Sequence, residues 1–281
     1  MDPQRFVGRR EVLHDLVDPA RIARLAATLD HASPPWTPGI APPLAHWLCF
    51  LPDAPQGAIG PDGHPRRSDS GLLPNVDLPR RMWAGSRIGF HSDIPIGASI
   101  TRTSTLIAAT PKTGRSGAML FATVRHEIAI DGDDAPAIVE EQDIVYREAP
   151  PPGPSQARRA ADPGEADPVV RTLIPDAVLL FRYSALTFNG HRIHYDRDYA
   201  RDEEGYPGLV VQGPLLATLL IDHLLRQKPA GRIVRYGFRA QSPLFDGEPL
   251  TLGLKRDGNQ TALRAIGPAG IVMTAEAEIA G

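Results

Sequence analysis

The stretch PLLATLLIDHLLRQ, Pro214 to Gln227, decides how the rest of the chain is arranged. It opens on a proline, which suits the first turn of a helix because that position needs no N–H, and Gly213 stands directly before it. Leucines fall on most sides of such a helix, so it is expected to be buried all round. At about 1.5 Å per residue it would run roughly 20 Å, enough to lie across a curved sheet. Strand-like runs follow at Arg232–Pro243, Glu248–Arg256, Thr261–Ile266 and Gly270–Ile279, with turn residues at Asp246-Gly247, Asp257-Gly258-Asn259 and Gly267-Pro268. Val178–Thr187 (VLLFRYSALT) reads as one more strand ahead of the helix.

Working outward, the first half carries a short helix at Asp18–Leu29, with Asp18 as N-cap and Pro19 in the first turn. Strands are expected at Ser86–Phe90, Ala98–Ala109, Gly117–Ile130 and Ile138–Tyr146. Between them, residues 34–81 are dense in proline and glycine; Trp36, Trp47 and the nearby Trp83 favour an ordered lid over a disordered insert. The run EAPPPGPSQARRAADPGEADP (148–168) has no apolar period and reads as a linker. The division is thus 1–147, a linker at 148–168, and 169–281. A buried helix wrapped by a long antiparallel sheet resembles the hot-dog arrangement. The expected fold class is α+β, a double hot-dog in which two antiparallel sheets wrap helices. The first unit has no long buried helix, so its helix is expected to be shortened or replaced by the proline-rich segment.

A length of 281 residues suits two domains, and 42 % hydrophobic with 22 % charged residues excludes wholesale disorder and an embedded membrane chain. The net charge of −3 gives no field that would draw the protein onto nucleic acid. The single cysteine, Cys49, can form no intrachain disulfide, no signal peptide is recognisable, and no run of eighteen apolar residues occurs. A cytoplasmic protein without membrane or nucleic-acid partners is expected.

Chemistry concentrates in Phe188-Asn189-Gly190-His191-Arg192-Ile193-His194-Tyr195-Asp196 and in Gln212-Gly213-Pro214. A histidine can move a proton near neutral pH, and a helix start presents unpaired N–H groups and the positive end of the macrodipole. Glycine there lets a ligand oxygen come close to the backbone. Together these serve a thioester: water is activated at the β-carbon, a proton is delivered to the α-carbon, and the enolate-like oxygen is stabilised. Asn189-Gly190 equally reads as a turn. His191 and His194 with Asp196 and Asp198 lack a further ligand at convincing spacing, so no metal is expected.

The segment FRYSALTFNGHRIHYDRDYARDEEGYPGLVVQGPLLATLL (181–220) resembles the MaoC-like, hydratase-2 branch of hot-dog proteins, in particular its HTD2-like dehydratases. PPLAHWLCFLP (42–52), DGHPRRSDSGLLPNVDLPRRMWAG (62–85), VRHEIAIDG (124–132) and EEQDIVYRE (140–148) carry the resemblance through the first half. The hydratase-2 pattern has an aspartate and, five residues later, a histidine. Matching the histidine to His194 sets Asn189 at the aspartate, His191 at an asparagine and Arg192 at a proline. The resemblance implies that His194 does the acid–base work, Asn189 positions water and the Gly213 N–H binds the thioester oxygen. His191, Arg192, Gln212 (where the family commonly has a histidine), Arg80 and Arg81 are the implied substrate-binding residues, and Arg197 is a further candidate for a phosphate or carboxylate. It implies a hydro-lyase acting on a short branched enoyl-CoA, of the C5 dicarboxylic mesaconyl-C4-CoA or itaconyl-CoA type. No cofactor is expected, coenzyme A being part of the substrate, and a homodimer is the expected assembly. A 3-hydroxyacyl-thioester dehydratase of fatty-acid metabolism, a thioesterase and a non-catalytic acyl-CoA-binding module are the alternatives.

Overall fold

The computed structural model describes residues 2–114, 117–148, 164 and 166–281, so most of the stretch read as a linker lies outside the described residues. The first half contains β1 (Arg10–Leu16), α1 (Pro19–Thr28), β2 (Arg80–Phe90), β3 (Ser99–Gly114), β4 (Gly117–Ile130) and β5 (Ile138–Arg147). The second contains β6 (Val169–Leu173), α2 (Ala177–Leu186), α3 (Arg197–Asp202), α4 (Gly213–Arg226), β7 (Arg232–Ala240), β8 (Leu250–Asp257), β9 (Gln260–Gly267) and β10 (Gly270–Ala280).

All ten strands form one antiparallel sheet in the order β1-β3-β4-β5-β2-β7-β10-β9-β8-β6. From either edge inward the order is the same: first, third, fourth, fifth and second strand of that half. The chain therefore repeats one topology, and the two hot-dog sheets become continuous where β2 pairs with β7, from Gly85 opposite Arg239 to Gly89 opposite Arg235. This is the double hot-dog expected from the sequence.

The helix α4 lies in the second half's wrap, packed on β8, β9 and β10. Its residues Leu215 to Leu224 are all buried, and each leucine so removed from water contributes roughly 1.5–3 kcal/mol. Asp222 near its C-terminal end is buried too, and it accepts from His31 (2.6 Å), Arg171 (3.0 Å) and Arg226 (2.8 Å). That cluster fastens the chain beyond α1 to α4. Among the described residues of the first half nothing comparable to α4 forms. Its place is taken by a single 3-10 turn, Ala45–Leu48, whose neighbours Leu44, Cys49 and Phe50 join the same core. The expectation of a replaced helix matches this arrangement.

The structure corrects one element. Val178–Thr187, read as a strand, is the helix α2: Asp176 caps it by accepting from the Leu179 N–H at 2.8 Å, and Leu180, Tyr183, Ser184 and Leu186 form its inner face. A short apolar run fits a strand or a helix equally well by composition, and here the cap and the packing against α1 decide. The edge strands β1 and β6 escaped the sequence reading because most of their side chains are exposed or half-buried and lack an apolar alternation. The proline-rich segment is an ordered strap in three parts. Residues 36–50 fill the core, and a small loop closed by an Ile59–Pro65 bridge follows. Leu72, Leu73, Val76 and Leu78 then cover a second cluster around Phe6, Leu120 and Tyr146.

Candidate active site

The loop that carries the histidines starts where α2 is stopped. Phe188 adopts a left-handed backbone (φ 48°), its N–H reaches Ala185 O, and the Asn189 N–H reaches Ser184 O at 2.8 Å, a pattern that closes a helix C-terminus. A phenylalanine in this conformation carries a strain of about 1–2 kcal/mol, which the surrounding turn must hold. Asn189 Oδ1 accepts the His191 N–H at 3.1 Å, so its side-chain oxygen shapes the turn. A short 3-10 turn, Arg192–His194, then brings His194 inside.

His194 is 8 % exposed, and its Nδ1 lies 2.7 Å from the Val210 carbonyl oxygen. A carbonyl only accepts, so Nδ1 carries the hydrogen and Nε2 is left as a proton acceptor. Burial pushes the imidazole down to about 4, outweighing the help of that hydrogen bond, and a nearby His64 adds to the depression. It is therefore neutral at physiological pH. Two residues beyond Val210, Gln212 leads into α4. Gln212 is buried, and its amide donates to Leu180 O (2.8 Å) and Ser184 Oγ (2.9 Å), which locks α2 to the start of α4. Gly213 is the first residue of α4, and a Cβ there would find its nearest neighbour, the Trp83 carbonyl oxygen, only at 4.0 Å. The helix start is thus uncrowded on the side where a Gly213 side chain would stand, and its first N–H groups have no partner within the helix.

The strap delivers residues that the sequence reading had not assigned to the site. Asp62 Oδ2 lies 2.9 Å from His64 Nδ1, and the His64 ring centroid is 4.2 Å from that of His191, which is 5.3 Å from His194. The docking is made by backbone. Arg192 N–H donates to Asp62 O and the Arg192 guanidinium to Pro61 O, each at 2.9 Å. Gly63 has φ 89° and any Cβ on it would overlap the Gly190 carbonyl, while a Cβ on Gly190 would crowd Gly63 in return. Burial, followed by its imidazole neighbours, depresses His191 to about 2. Burial also lowers His64, but Asp62 opposes it; Asp62 itself is held below the usual carboxylate range because the bonds to His64 outweigh its own burial. Ligand atoms of Asp62, His64 and His191 lie within 4.8 Å of one another.

Of the arginines singled out, three are engaged in ion pairs. Arg80 pairs with Glu204 (2.8 Å), Arg192 with Asp196 (2.7 Å) and Arg197 with Asp246 (2.5 Å). Arg81 forms no ion pair among the described residues; its charge acts on His64, His191 and Tyr146. Arg67 also lies close, 5.0 Å over the Tyr146 ring, holding the strap through the carbonyls of Val76, Leu78 and Pro79. Nothing in the sequence linked Arg67, Tyr146, Asp62 and His64 to the histidine loop, since they converge only through the strap.

A repeated hot-dog sheet with a histidine loop bonded to the segment that leads into its buried helix marks the MaoC-like class. Residues 44–246 match the family described as hydroxyacyl-thioester dehydratase type 2, and the chain belongs to that family. It is 45 % identical over its full length to mesaconyl-C(4)-CoA hydratase of Chloroflexus aurantiacus, covering 99 % of that protein. Among solved structures, a MaoC-like dehydratase from Phytophthora capsici superposes with a TM-score of 0.73 at 13 % identity, covering 100 % of this chain and 98 % of the other. A double-hotdog protein from Mycobacterium tuberculosis, Rv0216, matches with a TM-score of 0.58 at 14 % identity, covering 97 % and 96 %.

Proposed function

We propose that the protein is a hydro-lyase that reversibly adds water to a short branched enoyl-CoA, with the C5 dicarboxylic mesaconyl-C4 thioester as its first substrate and itaconyl-CoA as the nearest variant. The observation that carries the mechanism is the His194–Val210 bond, which leaves a neutral imidazole with its Nε2 as acceptor and ties the ring to the segment three residues ahead of Gly213. His194 takes a proton from water as oxygen attacks the β-carbon, and the electron pair moves to the thioester oxygen. The Gly213 N–H and the helix dipole stabilise the charge that develops there. The imidazolium then returns the proton to the α-carbon. Asn189 serves by holding the loop through its bond to the His191 N–H. Arg81, with no carboxylate partner among the described residues, meets the substrate's free carboxylate, a role that a guanidinium fills through paired hydrogen bonds. A homodimer and a cytoplasmic location complete the proposal. Val178 (63 % exposed) and Phe181 (61 %) on α2 offer an apolar face to a second copy, which light scattering would test, and Cys49 is a buried thiol suited to a reducing compartment.

The test is water addition to mesaconyl-C4-CoA, itaconyl-CoA and crotonyl-CoA, followed by absorbance and mass. Wild type should turn over the dicarboxylic thioesters, and His194→Ala should lose about 10²–10⁴-fold in kcat. Arg81→Gln should impair the dicarboxylic thioesters far more than crotonyl-CoA. Turnover of long acyl chains alone would instead support the fatty-acid dehydratase, and binding without turnover the non-catalytic module.

A further inference from the structure

We propose that His64, oriented by Asp62, is a second catalytic group of this site: it accepts one hydrogen of the attacking water while His194 accepts the other. This rests on the hydratase reading above. The histidine loop itself has lost a proton acceptor, because Asn189 stands where a carboxylate is expected and its oxygen is spent on the His191 N–H. The strap brings a replacement from the other half of the chain.

The chemistry follows from the tautomer. Asp62 Oδ1 accepts the His64 backbone N–H at 3.1 Å and Oδ2 faces His64 Nδ1 at 2.9 Å. An ionised carboxylate only accepts, so the ring hydrogen sits on Nδ1 and Nε2 is an acceptor, as it is in His194. A water whose two hydrogens are held by two such nitrogens has both lone pairs directed away from them, one available for the β-carbon. During addition the O–H bond toward His194 breaks and the O–C bond forms. The C=C electron pair moves to the thioester oxygen, and the proton held by His194 ends on the α-carbon. The hydrogen on the His64 side stays on the product hydroxyl, so one water is consumed and nothing else is gained or lost. His64 is well suited to this place. Its side chain is 22 % exposed, the docked strap fixes it against His191, and no hydrogen bond to Nε2 is made among the described residues. The same Asp62, His64 and His191 atoms are close enough to suggest a metal, but Asp62 and His64 are already hydrogen-bonded to each other.

Substitution separates these roles. His64→Ala should lower kcat on the dicarboxylic thioester about 10²-fold, with melting temperature and KM close to wild type. In Asp62→Asn, Oδ1 still accepts the backbone N–H, so the amide NH2 faces the ring and favours the tautomer with its hydrogen on Nε2; kcat should fall comparably. Asp62→Asn added to His64→Ala should then cost nothing more, whereas independent structural effects would add. Chelator treatment should leave the rate unchanged. A His64→Ala enzyme with wild-type kcat, or activity lost to a chelator and restored by zinc, overturns the inference. Failure of wild type to hydrate any thioester would instead overturn the hydratase reading, and the two outcomes are distinct.

Discussion

The two halves of the sheet share one strand order, and two carboxylate–imidazole pairs of the first half are put to opposite uses: one is sealed in that half's core, the other is carried by the strap to the second half's histidine loop. In the first half, Glu140 is 2 % exposed and fully engaged. Its Oε1 accepts from Ser86 Oγ at 2.6 Å, and its Oε2 accepts from Trp47 Nε1 and faces His46 Nε2, both at 3.0 Å. In the site, Asp62 and His64 are half-buried, and the Nε2 atoms of His64 and His194 make no hydrogen bond among the described residues. The helices differ in step. In the position of α4 the first half has, among the described residues, only a 3-10 turn entered through a left-handed Leu44, whereas the second has the buried helix α4 with its start at Gly213. An apolar cavity of about 400 Å³ lies between the halves, lined by Trp36, Ile40, His46 and Phe90 from the first and by Leu225 and Ile233 from the second among others, and does not include His194. One pair therefore spends its polar groups on stability, and the other, docked on the second half, leaves them for chemistry.

That contrast breaks first if Glu140 proves dispensable. Glu140→Ala leaves His46, Trp47 and Ser86 without their shared acceptor, and loss of one member of a buried pair costs about 3–5 kcal/mol. Denaturant unfolding should show a lower midpoint, while kcat of the fraction that remains folded should stay near wild type. A stable but inactive variant would move Glu140 from the structural side to the chemical one.

Gly213→Pro sharpens the other side. Gln212 has ψ 132°, the extended backbone that a following proline requires, and the first helical position accepts proline readily. The substitution removes one N–H from the site, and because Pro214 follows, it also strains the first helical turn, so the melting temperature is measured beside kcat. Loss of an oxyanion donor costs about 10²–10³ in kcat, and unchanged turnover would show that the thioester oxygen is held elsewhere.

What the sequence revealed divides along the same line. α4 was legible because a glycine, a proline and a run of leucines sit together, and the histidine loop and the helix start drew attention because each is a compact local signal. α2 was not, since ten mostly apolar residues carry no decisive period and only Asp176 marks the start. Asp62 and His64 read as an ordinary Pro-Asp-Gly-His turn. Their role depends on a backbone contact between Gly63 and Gly190, two glycines far apart in the chain, and no local pattern encodes that meeting. The same is true of Arg81, which differs from its neighbour Arg80 only in what the fold sets beside it.

The smallest expected effect is in the pH dependence of stability, and it also separates the halves. His194 is held near 4 in the folded protein against an ordinary value of 6.5, chiefly by burial. As pH falls below about 6.5 the unfolded chain takes up this proton and the native one does not, so stability declines across the window from about 6.5 to 4. Glu140 is displaced from 4.5 to about 2: burial raises it, but the bonds from His46 and Ser86, with His126 nearby, outweigh that. Its contribution is present above 4.5 and disappears as pH falls toward 2. His126 in the first half, lowered to about 4 mainly by burial, adds to the upper window. Thermal unfolding followed from pH 7 to pH 3 should show decline in both windows. His194→Ala should make the upper decline shallower, with His126 and His191 still contributing there, while leaving the lower one in place, because Glu140 is untouched. An upper slope unchanged by His194→Ala would mean that this ring does bind a proton in the folded state, and it would lose its standing as the neutral acceptor of the site.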